Sequence, residues 1–131
     1  MQNILLILLL PVLLLTGCAA TSNPTKANTY RQITMTEAIK MMETEENYAI
    51  LDVRTEQEFA AGHIPGAILV PNETIGMQDI PHLTDKDQLI MVYCRSGNRS
   101  KQASDKLVRL GYTNIVEIGG INSLPGEIVT D

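Results

Sequence analysis

One cysteine stands where a reactive thiolate would be built. Val92-Tyr93-Cys94-Arg95-Ser96-Gly97-Asn98-Arg99-Ser100 carries an apolar run, 89–93, into a short polar loop, with a helix-like segment starting at Ser100. Arginines at positions 95 and 99 sit on either side of the loop's glycine. Cationic side chains and the positive end of a helix both favour Cys-S⁻ over Cys-SH. Successive loop N–H groups can turn inward around a sulfur anion. A thiolate is the natural nucleophile for divalent sulfur and, once ionised, needs no separate general base.

The elements around this loop alternate. Thr34-Met35-Thr36-Glu37 has the pattern of a capping box, and Ala38, Ile39, Met41 and Met42 follow as an apolar helix face. Residues 49–53 read as a buried strand with Arg54 just past its end. Thr55 caps a short acidic helix over 56–60, and 62–66 form a turn. Strands are expected at 67–70, 89–93 and 115–118, and a helix at 100–110 with Gly111 as its stop. Continuous apolar strands alternating with helices predict an α/β fold, a parallel sheet with helices on both faces. Ligands of such sheets bind at the carboxyl ends of the strands. Asp52, Arg54 and residues 94–99 fall there.

The N-terminal end reads differently. Residues 4–15 are almost entirely Leu and Ile, broken by Pro11. That run is too short for a helix to span a bilayer of roughly 30 Å, but it suits the apolar region of a signal peptide. Leu15-Thr16-Gly17-Cys18 closes it and resembles the lipobox of bacterial lipoproteins, although Met1-Gln2-Asn3 carries no positive charge. The resemblance implies a signal peptide over 1–17, cleavage before Cys18 and lipidation of Cys18. Residues 18–32 follow as a lipidated cysteine and polar tether, and 33–131 as the folded domain. An extracytoplasmic domain, lipid-anchored to a bacterial membrane on the periplasmic side or the cell surface, is expected. Cys94 would then be the one free thiol in an oxidising compartment. It would need a thiol-redox or persulfide-bearing protein partner there.

Leu51-Asp52-Val53-Arg54, Glu58-Phe59, Gly62-His63-Ile64-Pro65-Gly66-Ala67, Cys94 to Ser100, Gly111-Tyr112 and Gly119-Gly120-Ile121, in this order, resemble a single-domain rhodanese. The likeness covers about 33–127 and implies a rhodanese-like fold and a sulfurtransferase. Cys94 is then the nucleophile that takes a sulfane sulfur from a donor such as thiosulfate, becomes a persulfide, and passes the sulfur to cyanide or a thiol. The backbone N–H groups of Arg95 through Arg99 form the cradle. The side chains of Arg95 and Arg99 contact an anionic donor, Ser96 and Asn98 add hydrogen bonds, and Gly97 permits close approach or a positive φ. Asp52 and Arg54 are candidate supports. Asp52 either pairs with a loop arginine or caps the following turn. His63 reads as structural. Many relatives carry a Trp shortly after the double glycine, where this chain has Leu124.

A net charge of −5 argues against nucleic acid as a partner. His63 and His82 stand apart and no Cys-x-x-Cys occurs, so neither a metal nor another cofactor is expected. The nearest enzyme alternative uses a cysteine, five residues and an arginine to hold a tetrahedral oxyanion. Four residues separate Cys94 from Arg99, and position 100 is Ser. A membrane-tethered persulfide carrier or redox-relay module with low independent turnover is the alternative of another class.

Overall fold

The computed structural model describes residues 29–130 together with Gly17. Residues 1–16 of the expected signal peptide, Cys18 and residues 19–28 of the expected tether lie outside the described residues. Five parallel strands form the sheet: β1 (Arg31–Gln32), β2 (Tyr48–Asp52), β3 (Ile68–Leu69), β4 (Leu89–Cys94) and β5 (Ile115–Gly120). Their order is β1-β5-β4-β2-β3. The helices are α1 (Met35–Thr44), α2 (Glu56–Ala61) and α3 (Asn98–Arg109). This is the expected α/β sheet with helices on both faces.

The two faces follow from strand alternation. On one face Leu51 of β2, Ile90, Val92 and Cys94 of β4 and Ile115 of β5 pack against Ala103, Leu107 and Val108 of α3. On the other, Ile50, Met91, Tyr93, Val116 and Ile118 pack against Met35 and Ala38 of α1. Burial on both faces is why the strands read as unbroken apolar runs rather than alternating ones. Neighbours in β4 therefore serve different sides, Cys94 with α3 and Tyr93 with α1.

Local signals set the helix starts. Thr34 and Thr55 each make a capping box, with Glu37 and Glu58 as the reciprocal partners. The third helix starts two residues earlier than expected. Gly97 stands at its N-cap with φ +111°, in the left-handed region that suits glycine, so the chain turns into α3 at Asn98. At the other end of the chain, the domain boundary moves. Arg31 and Gln32, placed in the tether from their polarity, pair with Val116 and Glu117 of β5 as the edge strand. An edge strand needs backbone partners more than apolar side chains, so composition alone does not mark it.

One buried polar network ties β2, β4 and the 62–66 turn. The Arg54 guanidinium donates to Asp52, with Nη2 2.7 Å from Oδ2, and to the Gly62 carbonyl at 2.7 Å. The Tyr93 hydroxyl donates to Asp52 Oδ2 at 2.6 Å and accepts from the Ile64 N–H at 3.1 Å. Burial, aided by the hydrogen bond to Asp52, pushes the Tyr93 phenol above its ordinary range, so it stays protonated and keeps donating. Asp52 is fully buried and Arg54 is 6% exposed. Removing one partner of such a pair leaves an uncompensated charge in the core. Asp52→Ala is therefore expected to lower the free energy of unfolding by about 3–5 kcal/mol in urea titrations of the full chain. A loss below about 1 kcal/mol would show that the network contributes no more than an exposed ion pair.

Candidate active site

Cys94 ends β4, and the loop 95–97 bends back over it before α3 begins. The Gly97 N–H points at Cys94 Sγ from 3.0 Å. The Ser100 hydroxyl, in the first turn of α3, lies 3.5 Å from the same sulfur. Burial pushes the Cys94 thiol up. The Ser100 hydroxyl and the backbone N–H groups of Ser100, Gly97 and Ser96 outweigh it, and the thiol is held below its ordinary value. Ionisation of the sulfur is thus helped by a nest of loop and helix N–H groups at the positive end of a 12-residue helix.

A second glycine makes the bend possible. Cys94 pairs with Gly120 where the register between β4 and β5 shifts. A Cβ on Gly120 would lie 2.2 Å from the Arg95 carbonyl oxygen and 2.6 Å from Ser96 Cα. The loop rests directly on the backbone of β5, and the Asn122 N–H donates to the same Arg95 carbonyl at 3.3 Å.

The arginines of the loop have different surroundings. Arg95 is exposed. Arg99 makes a two-pronged ion pair with Glu58, Nη1 to Oε2 at 2.7 Å and Nη2 to Oε1 at 2.8 Å. Hydrogen bonding from Arg99 is the main reason the Glu58 carboxyl is pushed down to about 2, so the pair stays ionised at any physiological pH. The Arg99 fork, expected to face a donor, is held by the capping-box carboxylate of α2. Its charge still acts on Cys94 through space. Ser96 and Asn98 are exposed on the loop and at the first position of α3.

Asp52 pairs with Arg54, not with a loop arginine, and its Oδ1 also accepts the Arg54 backbone N–H at 3.0 Å, closing the turn after β2. Asp52 sits with Tyr93, the residue before Cys94, on the face opposite the sulfur. His63 is buried, stacks on the Phe59 ring at 3.6 Å, and contacts the Phe59 carbonyl through Nδ1 at 2.9 Å.

Sequence reasoning missed Glu117 and gave Ser100 no role beyond starting a helix. Glu117 is 3% exposed, and its Oε1 takes the Ser100 hydroxyl at 2.6 Å and the Gly119 N–H at 2.9 Å. Its signal was present as the one charged side chain inside an otherwise apolar strand, Ile115-Val116-Glu117-Ile118. Strand alternation puts it on the α3 face, beneath the helix start that holds the sulfur.

The Gly120 contact leads to a direct test. Gly120→Ala must move the 95–96 backbone, since a Cβ contact at 2.2 Å is impossible. Overpacking of this kind is expected to cost about 1–3 kcal/mol of stability. Loss of the N–H contacts should also raise the pH at which Cys94 ionises, read from thiolate absorbance in the ultraviolet. An unchanged ionisation profile would show that the sulfur does not depend on loop placement.

Residues 34–124 match the family model of the rhodanese-like domain, and the chain belongs to that family. The thiosulfate sulfurtransferase PspE of Escherichia coli is 31% identical over 74 residues, 56% of this chain and 71% of that protein. A sulfurtransferase of Allochromatium vinosum is 39% identical over 77 residues, 57% of this chain and 68% of that protein. The crystal structure of a rhodanese-like domain protein from Staphylococcus aureus superposes with TM-score 0.66 at 28% identity, covering 77% of this chain and 98% of that one. These relatives support sulfurtransferase activity in general.

Proposed function

We propose that this member of the rhodanese-like family moves a sulfane sulfur from a donor such as thiosulfate to a thiophilic acceptor, through a persulfide on Cys94. The Gly97 N–H lying 3.0 Å from Cys94 Sγ carries the proposal, because it marks a site built for a sulfur anion. In the first step the Cys94 thiolate attacks the outer sulfur of thiosulfate. The new S–S bond forms as the old one breaks, and sulfite departs with the electron pair. In the second step cyanide or a thiolate attacks the outer sulfur of the persulfide, and the Cys94 thiolate leaves. Neither step needs a net change in redox state from outside or a separate base.

Donor recognition divides between parts of the loop. Exposed Arg95 offers a free guanidinium, while the fork of Arg99 is committed to Glu58. Backbone N–H groups supply the cradle for the transferred sulfur. Thiosulfate is the donor printed in the name of the Escherichia coli relative, which supports using it as the test substrate.

The same proposal puts the domain outside the cytoplasm, carried on a lipidated Cys18, with the membrane reached through acyl chains. Leu15-Thr16-Gly17-Cys18 after the apolar run supports this. Each buried methylene adds about 0.8 kcal/mol of membrane affinity, so more than one chain gives stable anchoring. A thiol-redox or persulfide-bearing protein in that compartment would supply or receive the sulfur.

Mass spectrometry of the full chain after thiosulfate is expected to show an adduct of about 32 Da, one sulfur, on Cys94. Cys94→Ser should carry no adduct and no turnover with cyanide, because a protonated hydroxyl does not attack sulfane sulfur. Turnover above a few per cent of the parent in that variant would overturn the assignment. Separately, cells fed a clickable fatty acid should label the chain but not its Cys18→Ser variant. An unlabelled parent that still carries residues 1–17 would remove the lipid anchor and leave the sulfur chemistry standing.

A further inference from the structure

The sulfur-transfer steps make no use of Glu117, a buried carboxylate on the same face of the sheet as the nucleophile. It is bridged to the sulfur by Ser100. The hydroxyl oxygen of Ser100 lies 2.6 Å from Glu117 Oε1, 2.9 Å from the Gly97 carbonyl, 3.5 Å from the Gly119 carbonyl and 3.5 Å from Cys94 Sγ. Glu117 Oε1 also accepts the Gly119 N–H at 2.9 Å. Ser100 has a single proton to donate, and every one of these four neighbours can accept it. If the carboxylate and the thiolate were both ionised, two buried anions would compete for that one proton. A hydroxyl can satisfy both neighbours when one of them is protonated and donates to it.

We propose that Cys94, Ser100 and Glu117 share one proton, and that Glu117 receives through Ser100 the proton that leaves the thiol. The Cys94 S–H bond breaks as its proton passes to Ser100 Oγ. The Ser100 O–H bond breaks as its own proton passes to Glu117 Oε1. Neutral thiol and carboxylate become thiolate and carboxylic acid, with no change in total charge and no redox partner. Ser100 then donates to the sulfur anion and accepts from the Glu117 acid, so each oxygen remains paired. In the second transfer step the departing Cys94 thiolate meets that same donated proton. Glu117 is a positioning residue here, since it acts on sulfur through Ser100.

The surroundings allow the shared proton to exchange. Glu117 lines a cavity of about 360 Å³ together with Thr34 and Glu37 at the start of α1, Ser96 and Gly97 of the loop, and Lys101 of α3. Other charges act on the pair. Lys101 and Glu37 line the same cavity as Glu117, and the Tyr30 phenol before β1 is pushed up by burial, Asp105 and Glu117. Arg99 favours the thiolate from the far side of the loop. None of these is in the hydrogen-bonded chain, so they bias the position of the proton without carrying it.

The inference rests on Cys94 as the sulfur carrier, but its test involves no sulfur donor. Thiolate absorbance of the full chain would be followed against pH in the ultraviolet, with the Cys94→Ser profile subtracted to remove Cys18 and the tyrosines. Two strongly coupled groups titrate as a pair. The parent should ionise in two steps more than about one pH unit apart, with partial thiolate between them. Glu117→Gln removes the competing anion, so a single step should complete at lower pH than the parent's second step. Ser100→Ala removes the donor to sulfur, so its midpoint should move to higher pH. A single step in the parent would overturn the shared proton. So would an unmoved profile in Glu117→Gln. If that variant fails to fold, the parent's two steps and the Ser100→Ala shift decide. Loading by thiosulfate is measured separately, so a parent that titrates in two steps but takes up no sulfur would retain the proton chain and lose the transferase reading.

Discussion

A thiolate taken out of water has to be met by donors, and the turn from β4 into α3 brings them to Cys94. Burial alone would raise the Cys94 thiol out of its reactive range. The Ser100 hydroxyl and the N–H groups of Ser100, Gly97 and Ser96 reverse that balance. They can converge on one atom only if the backbone turns sharply within three residues. Gly97 takes a left-handed conformation to make the turn, and Gly120 has no side chain where the loop crosses β5. Both glycines therefore serve one electrostatic requirement, although they are far apart in the chain.

The sheet separates two tasks that the sequence places side by side. Tyr93 points to the α1 face and closes a network with Asp52, Arg54, Gly62 and Ile64. Cys94 points to the α3 face and meets the loop. One strand thus carries an anchor and the candidate nucleophile on adjacent residues. The Leu-Asp-Val-Arg and Gly-His-Ile-Pro-Gly segments hold the end of β4 still, and they do so from the face opposite the sulfur. Their separation from Cys94 explains how residues so strongly patterned can matter to the site without touching it.

Charge at the loop is distributed more narrowly than its two arginines suggest. Glu58 closes the capping box of α2 and also holds Arg99 at the start of α3, so one carboxylate joins two helices beside the site. This pairing neutralises much of the local positive charge that a small anion would feel. The remaining attraction comes from Arg95, the helix dipole and oriented N–H groups. On the inner side of the loop, Glu117 adds a second carboxylate within reach of Ser100. The loop thus has two carboxylates in its surroundings, Glu58 held as an ion by Arg99 and Glu117 linked to the sulfur through the Ser100 hydroxyl.

Much of this molecule was legible in its residues. The alternation of apolar runs and capped helices determined the α/β class, because burial and hydrogen-bond caps act over a few neighbouring positions. Cys94 before Gly97 and a helix start marked the candidate thiolate site, because loop N–H groups and helix dipoles act locally as well. The edge strand at Arg31–Gln32 was not legible, since its stability comes from the backbone of β5, some 85 residues away. The partner of Arg99 was not legible either. A guanidinium has the reach to choose among many carboxylates, and only the packing of α2 beside α3 selects Glu58. The same holds for Glu117. Its charge in an apolar strand was visible, but the strand order and the face on which it emerges place it beneath Ser100. Short-range order follows from short-range chemistry, while the pairing of distant charges is decided by which surfaces the folded sheet brings together.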